Sequence, residues 1–339
     1  MRIVFITQQV DPESAVLGAT VAKIRALAAR VDEVAVIADG AVPGALPANC
    51  RVHTFAAGTK MVRGARFEAA LARELTRRPR PSGVLAHMCP IYAVLAAPLA
   101  RPLGVPVVLW FTHWRASRLL AAAERASSAV ITVDRRSFPA PTGKVVPIGH
   151  GIDLTAFSCV DRPARKGLDL LTLGRTSPAK GLDTIIRAVA QLEGVRLVQR
   201  GPSLTGEEHR HRAELEELVA ALDVAERVTI GGPAARNEVP GLFAAADCLI
   251  NNMRAGATDK VVFEAAATCL PVLASNPALD ELLPPELLFP RDDADALAAR
   301  ITEIVGADRA AIGRDLRTRV ERDHSVEGWA DRVLAVLSP

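Results

Sequence analysis

Arg175 and Lys180 stand five positions apart in a polar stretch that follows the apolar run 168–173. Two cations on one loop at the end of a strand suit a diphosphate leaving group, which gains negative charge as it departs. A second stretch, 256–275, reads as loop, helix, turn and strand. Gly256, Ala257, Thr258, Asp259 and Lys260 form a short loop, and Val261 opens an alanine-rich helix reaching 269. A loop leading into a helix turns backbone N–H groups outward. The helix dipole adds partial positive charge there, so the place suits a phosphate. Glu264 lies one turn into that helix. A carboxylate there suits the hydroxyls of a neutral diol, such as a ribose, beside the phosphate. The same residues also read as an ordinary helix start, and an Arg and a Lys in a loop are usually just solvated.

The elements that must position these residues alternate along the chain. Strands are expected at 2–7, 34–38, 51–55, 83–87, 105–111, 129–133 and 144–147 in the first half. In the second half they are expected at 168–173, 195–200, 228–230, 248–251 and 271–274, with a short one at 287–289. Helices fill the intervals, including 182–192, 207–222, 292–305, 308–323 and 329–337. This α/β alternation predicts parallel, doubly wound sheets, whose ligands bind at the carboxyl ends of the strands. Residues just beyond each strand are therefore candidates. Gly18 follows the polar loop 8–16 after the first strand, and it reads equally as a simple helix-start glycine. His113 ends the run 107–113. In isolation such a histidine is more often structural. His87 and Tyr92, the single tyrosine, follow another strand and read first as packing residues. No GxGxxG follows a first strand, which counts against a nicotinamide enzyme.

The chain has 339 residues, half of them hydrophobic, which fits two domains that each bury a core. The net charge of +3 and the lack of a long basic block give no sign of a nucleic-acid partner. Five scattered cysteines without a CxxC suggest neither a zinc site nor a disulfide framework, so reduced thiols and a cytoplasmic location are expected. No metal or cofactor is expected. The opening residues read as a strand rather than a signal peptide, and no apolar run has the length to cross a bilayer. Residues 60–80 carry Lys60, Arg63, Arg66, Arg73, Arg77, Arg78 and Arg80 against only Glu68 and Glu74. Such a run is most often a solvated helix face. The alternative is a weak contact with a membrane surface.

Three stretches complete a pattern: 171–181 with its helix, then 227–233 followed by 239–250, then 256–275. In this order and at these distances they resemble the nucleotide-binding domain of retaining glycosyltransferases with the GT-B fold, the family 4-like transferases known as glycosyl transferases group 1. The resemblance implies two Rossmann-like domains facing a cleft. Residues 1–155 would form the acceptor domain, 166–324 the nucleotide-sugar domain, and 325–339 a helix returning to the first. The segment 158–166 would be the linker. The implied reaction moves a hexosyl group from a UDP- or GDP-linked sugar to a small-molecule, glycan or lipid-linked acceptor. Arg175 and Lys180 would grip the donor phosphates with the loop 256–261, and Glu264 would meet the ribose. Gly18 would border the diphosphate, and His113 would sit near the transferred sugar as a hydrogen-bonding group. The turn 148–153, with His150 where the family usually has Asn, would mark the domain boundary.

One departure stands out. The family has two acids separated by seven residues; the second is Glu264, and Gly256 stands where the first belongs. Asp259, Lys260 or backbone N–H groups are the replacements at hand. Two other readings remain beside the transferase: a sugar-nucleotide epimerase of the same architecture, and a non-catalytic sugar-nucleotide-binding partner.

Overall fold

The computed structural model describes residues 1–14, 17–113, 115–140, 142–162 and 167–338. Parts of the expected loop 8–16 and linker 158–166, namely 15–16 and 163–166, lie outside the described residues. The chain divides into two units, Met1–Asp153 with Asp323–Pro339, and Leu154–Arg322.

The first unit runs β1 (Arg2–Val10), α1 (Ala19–Ala28), β2 (Glu33–Ala41), β3 (Cys50–Thr54), α2 (Lys60–Thr76), β4 (Gly83–His87), α3 (Pro90–Ala100), β5 (Val107–Trp110), α4 (Arg118–Ala126), β6 (Ala129–Thr132) and β7 (Val145–Pro147). Among the described residues its sheet has seven parallel strands in the order β3-β2-β1-β4-β5-β6-β7. Alternation along β1 sends Ile3 and Phe5 to one face and Val4 and Ile6 to the other, and all four are fully buried. Both faces are covered, as a parallel sheet requires. Phe67, Leu71 and Leu75 lie four apart on α2 and cover the second face. Burying each such side chain contributes about 1.5–3 kcal/mol. The basic helix therefore spends its apolar stripe on the core. Lys60, Met61 and Arg66 stay exposed, while Arg63 pairs with Asp39 at 2.8 Å.

The second unit follows with β8 (Leu168–Leu173), α5 (Leu182–Ala190), β9 (Val195–Arg200), α6 (Gly206–Ala221), β10 (Val228–Ile230), α7 (Val239–Ala245), β11 (Cys248–Asn251), α8 (Lys260–Ala267), β12 (Val272–Ala274), α9 (Ala294–Gly306) and α10 (Arg309–His324). Its described strands order as β10-β9-β8-β11-β12, all parallel. The final helix, α11 (Val326–Leu337), packs Trp329, Val333 and Leu337 with α1 on the first face of the first sheet. Gly149 and Gly151 have φ of +74° and +71°. A Cβ on Gly149 would sit 2.2 Å from the Asp323 carbonyl oxygen, so the returning chain needs glycine there.

Three expectations are corrected. β1 runs on to Val10, because Gln9 and Val10 still pair with Gly40 and Ala41. Residues 287–289 form no strand: Pro285–Leu287 is a single 3₁₀ turn, and only a bridge from Leu288 to Ala274 remains. Cys159 and Cys269 form a disulfide in the second unit, although 110 positions separate them. Sequence spacing carries no trace of a pair that only the tertiary fold brings together.

Candidate functional site

In the second unit the chain leaves β8 toward β9 and β10 on one side, then returns to build β11 and β12 on the other. β8 and β11 are neighbours, and the loops beyond their carboxyl ends part in opposite directions. Open α/β sheets bind ligands in the crevice that such a reversal creates. One loop, 174–181, carries Arg175 and Lys180; the other, 252–259, leads into α8.

The two loops are tied together. The Lys180 ammonium donates to the Asp259 carboxylate, which also accepts from Asn251 Nδ2 at 3.1 Å. Asn252, fully buried, donates from Nδ2 to the Gly181 carbonyl at 3.0 Å. Gly181 is left-handed at φ +53°, and a Cβ there would lie 2.2 Å from that same Nδ2. Burial pushes the Asp259 carboxyl up, but the Lys180 charge and the two hydrogen bonds outweigh it and hold it below its usual range.

Arg175 points elsewhere. Its Nη1 lies 2.8 Å from Glu208 Oε1 on α6, and Glu208 Oε2 accepts from Leu204 N at 2.7 Å. The Arg175 side chain remains 53% exposed, while its Glu208 partner is buried.

Glu264 is buried on the first turns of α8. Arg236 Nη2 lies 2.8 Å and Lys260 Nζ 3.0 Å from its Oε1. Burial would raise this carboxyl, yet the Lys260 and Arg236 charges and their hydrogen bonds lower it below its ordinary value. Burial lowers Lys260 more than its Glu264 partner raises it. Asp259 and Lys260, the candidates for the acid missing at Gly256, are thus already engaged. Gly256 has φ +129°, and Asn276 Nδ2 reaches the carbonyls of Gly256 and Ala257 at 3.5 and 3.4 Å. Thr258 and Val261 are buried beside them.

The structure therefore gathers Lys180, Asp259, Lys260, Val261 and Glu264 at one end of the second sheet, with Arg175 on the same loop as Lys180. Gly18 and His113 belong to the first unit. Gly18 caps α1 with ordinary helical φ of −55°, so its backbone makes no demand for glycine. His113 is exposed beyond β5, and its Nδ1 accepts from Arg115 N at 3.0 Å; Trp114 lies outside the described residues. His87 is buried and stacks on Trp110 at 6.5 Å, and Tyr92 is buried among Phe55 and Phe67. Both are packing residues. Among the described residues no group of three or more His, Cys, Asp or Glu is placed to hold a metal ion. The sequence pointed to neither Arg236 nor Glu208, whose partners lie 28 and 33 positions away. Asn251 and Asn252 did carry a signal: paired amides at the end of a buried apolar strand need partners.

The fold, two parallel-sheet α/β units of this topology, is that of the GT-B glycosyltransferases. Within the second unit, residues 167–307 match the family model described as glycosyl transferases group 1. The D-inositol 3-phosphate glycosyltransferase of Mycolicibacterium gilvum is 29% identical over 237 residues, 66% of this chain and 51% of that protein. The corresponding protein of Mycobacterium marinum is 30% identical over 237 residues, 66% and 49% of the two chains. The chain spans about half the length of these curated relatives. Among solved structures, Anabaena HepE in complex with UDP and glucose aligns with a TM-score of 0.79 at 20% identity, covering 100% of this chain and 99% of that one. Sucrose-phosphate synthase from Thermosynechococcus elongatus aligns at 0.76 and 20% identity, covering 99% and 98%.

Proposed function

We propose that the protein is a retaining glycosyltransferase that moves a hexosyl group from a UDP- or GDP-linked sugar to a hydroxyl of a small-molecule, glycan or lipid-linked acceptor. The observation that carries this reading is the Lys180–Asp259 tie, which sets an ammonium beside the start of α8 at the reversal point of the second sheet. As the bond from sugar to phosphate breaks, negative charge grows on the diphosphate. An ammonium and a helix N-terminus at one place stabilise that charge. Lys180 has three N–H donors, so it can hold Asp259 and a phosphate oxygen together. Arg175 joins from the same loop by turning from Glu208. The loop 256–261 offers backbone N–H groups, and Glu264 accepts from the ribose hydroxyls.

His113 supplies a directed donor. Because its Nδ1 accepts from a backbone N–H, the neutral ring carries its proton on Nε2. That proton can bind a hydroxyl of the donor sugar or the acceptor. The acceptor oxygen forms its bond to the anomeric carbon on the face that the diphosphate leaves. The departing phosphate oxygen takes the acceptor proton, so configuration is retained. Lys180, Arg175 and the α8 start supply the positive charge in this scheme, which assigns no role to a metal; EDTA is expected to leave turnover unchanged, and Mg²⁺-restored activity would count against it. HepE is described with UDP and glucose, which makes UDP-glucose the first donor to try.

Incubation with UDP- and GDP-sugars, read by nucleoside diphosphate release and by NMR of the sugar product, tests the proposal. Release with the donor's anomeric configuration kept is expected. An isomerised sugar nucleotide would make the protein an epimerase, and binding without release a non-catalytic partner. The reading includes a weak contact of α2 with an acidic membrane through exposed Lys60, Met61, Arg66 and Arg73. Equal sedimentation with anionic and neutral vesicles would sink that part.

A further inference from the structure

The Glu264 carboxylate is gripped by two cations that approach the same oxygen. Arg236 Nη2 and Lys260 Nζ lie 2.8 and 3.0 Å from Oε1. Lys260 sits four residues earlier on α8, so its contact is local. Arg236 comes from the loop beyond β10, and that loop is anchored on its own account. Glu238 Oε2 accepts from Ala235 N at 2.6 Å, and Arg200 donates to the carbonyls of Gly232 and Pro233 at 3.1 and 3.0 Å. The Arg236 guanidinium lies 4.8 Å over the ring of Phe157, which packs on Phe243. A planar guanidinium held by a ring on one side and a fixed loop on the other defines where its carboxylate partner must sit. Both cations approach Oε1, which leaves Oε2 as the oxygen for a further donor.

We infer that Arg236 is a positioning residue that makes this site select ribonucleoside over 2′-deoxyribonucleoside diphosphates. The inference rests on reading Glu264 as the ribose contact. Ribose offers adjacent 2′ and 3′ hydroxyls to Oε2, and deoxyribose lacks one of them. A carboxylate that cannot rotate cannot compensate for the missing donor, so a buried anionic acceptor stays unmet. A carboxylate freed from Arg236 swings about its Lys260 contact and meets either sugar equally.

Calorimetric titration of UDP and 2′-deoxy-UDP, and of GDP and 2′-deoxy-GDP, into the wild type, Arg236→Met and Arg236→Lys tests this. Wild type is expected to prefer the ribonucleotide by about tenfold or more. Arg236→Met is expected to bring that ratio to about twofold or less, with affinity for the deoxynucleotide unchanged; Arg236→Lys, which keeps the charge without the fork, falls between. A wild-type ratio retained in Arg236→Met overturns the inference, as does an equal loss of affinity for both nucleotides, the mark of a merely structural role. Should Arg236→Met fail to fold by circular dichroism, Arg236→Lys decides: a reduced ratio supports the inference and an unchanged one overturns it. Wild type that binds both nucleotides of a pair equally defeats the inference and leaves the donor reading standing. Wild type that binds none of the four defeats both.

Discussion

The ammonium of Lys180 is held against the carboxylate of Asp259, 79 positions further along the chain, and the contact closes the loop beyond β8 onto the loop beyond β11. Each loop alone is an ordinary polar connection. Joined, they fix one cation at the start of a helix whose dipole carries the same sign of charge.

This relationship ranks two substitutions. Lys180→Ala removes the cation and the tie between the loops together. Its loss is expected to slow donor cleavage by about 10²–10³-fold, the effect of deleting one preorganised group that meets developing charge. Arg175→Ala removes a side chain that is 53% exposed and turned to Glu208, so a smaller loss is expected. Steady-state rates of nucleoside diphosphate release for both folded variants check the order. Wild-type rates in Lys180→Ala would remove Lys180 from the site.

Much of this fold was legible in the sequence, for a physical reason. β8 and β11 begin and end where their apolar runs do, because inner strands of a parallel sheet are buried on both faces and bounded by turn residues; β9 and the edge strand β10 keep the expected bounds through alternating burial instead. β1 outran its apolar run because the ladder to β2 continues through Gln9, whose backbone pairs whatever its side chain does. The site was legible where its residues share a loop, as Arg175 and Lys180 do. It was hidden where a partner arrives from another strand end. Arg236 and Glu208 carry no local pattern, and neither do Cys159 and Cys269.

The disulfide makes a countable prediction. Of five cysteines, Cys159 and Cys269 are paired, which leaves five minus two, or three thiols: Cys50, Cys89 and Cys248. Unfolding without reductant should expose three thiols to a colorimetric thiol reagent, and unfolding with prior reduction five. In the native protein at pH 8, Cys248 should stay silent, because burial pushes its thiol up to about 12. Five thiols without reductant would show the pair to be open.

Glu264 links the site to acid stability. Glu264→Gln leaves the half-buried Arg236 and Lys260 cations without their shared anion, a loss of about 1–3 kcal/mol at neutral pH. The folded carboxyl is lowered below its ordinary value of 4.5, so the fold favours the ionised form. That contribution is complete above pH 4.5 and is lost as pH falls through the folded value. Denaturant titrations of the wild type and Glu264→Gln should therefore give a stability gap that narrows between pH 5 and pH 3. A gap of constant size across that range would mean that Glu264 contributes nothing through its charge.

Gly256 stands where the resembled transferases carry an acid, and restoring that acid should not be neutral. Its φ of +129° lies where L side chains crowd their own backbone. The amide of Asn276, fully buried, reaches the carbonyls of Gly256 and Ala257, which restrains the loop from relaxing. Gly256→Glu is therefore expected to cost about 1–3 kcal/mol through the backbone alone. In a unit of this size each kcal/mol lowers the melting temperature by about 2–4 °C. Gly256→Ala isolates the cause, since it adds a Cβ without charge or reach. Both variants should melt below the wild type by similar amounts in calorimetry. An alanine variant as stable as the wild type would show that the loop accommodates a side chain, and that glycine here answers to something other than backbone geometry.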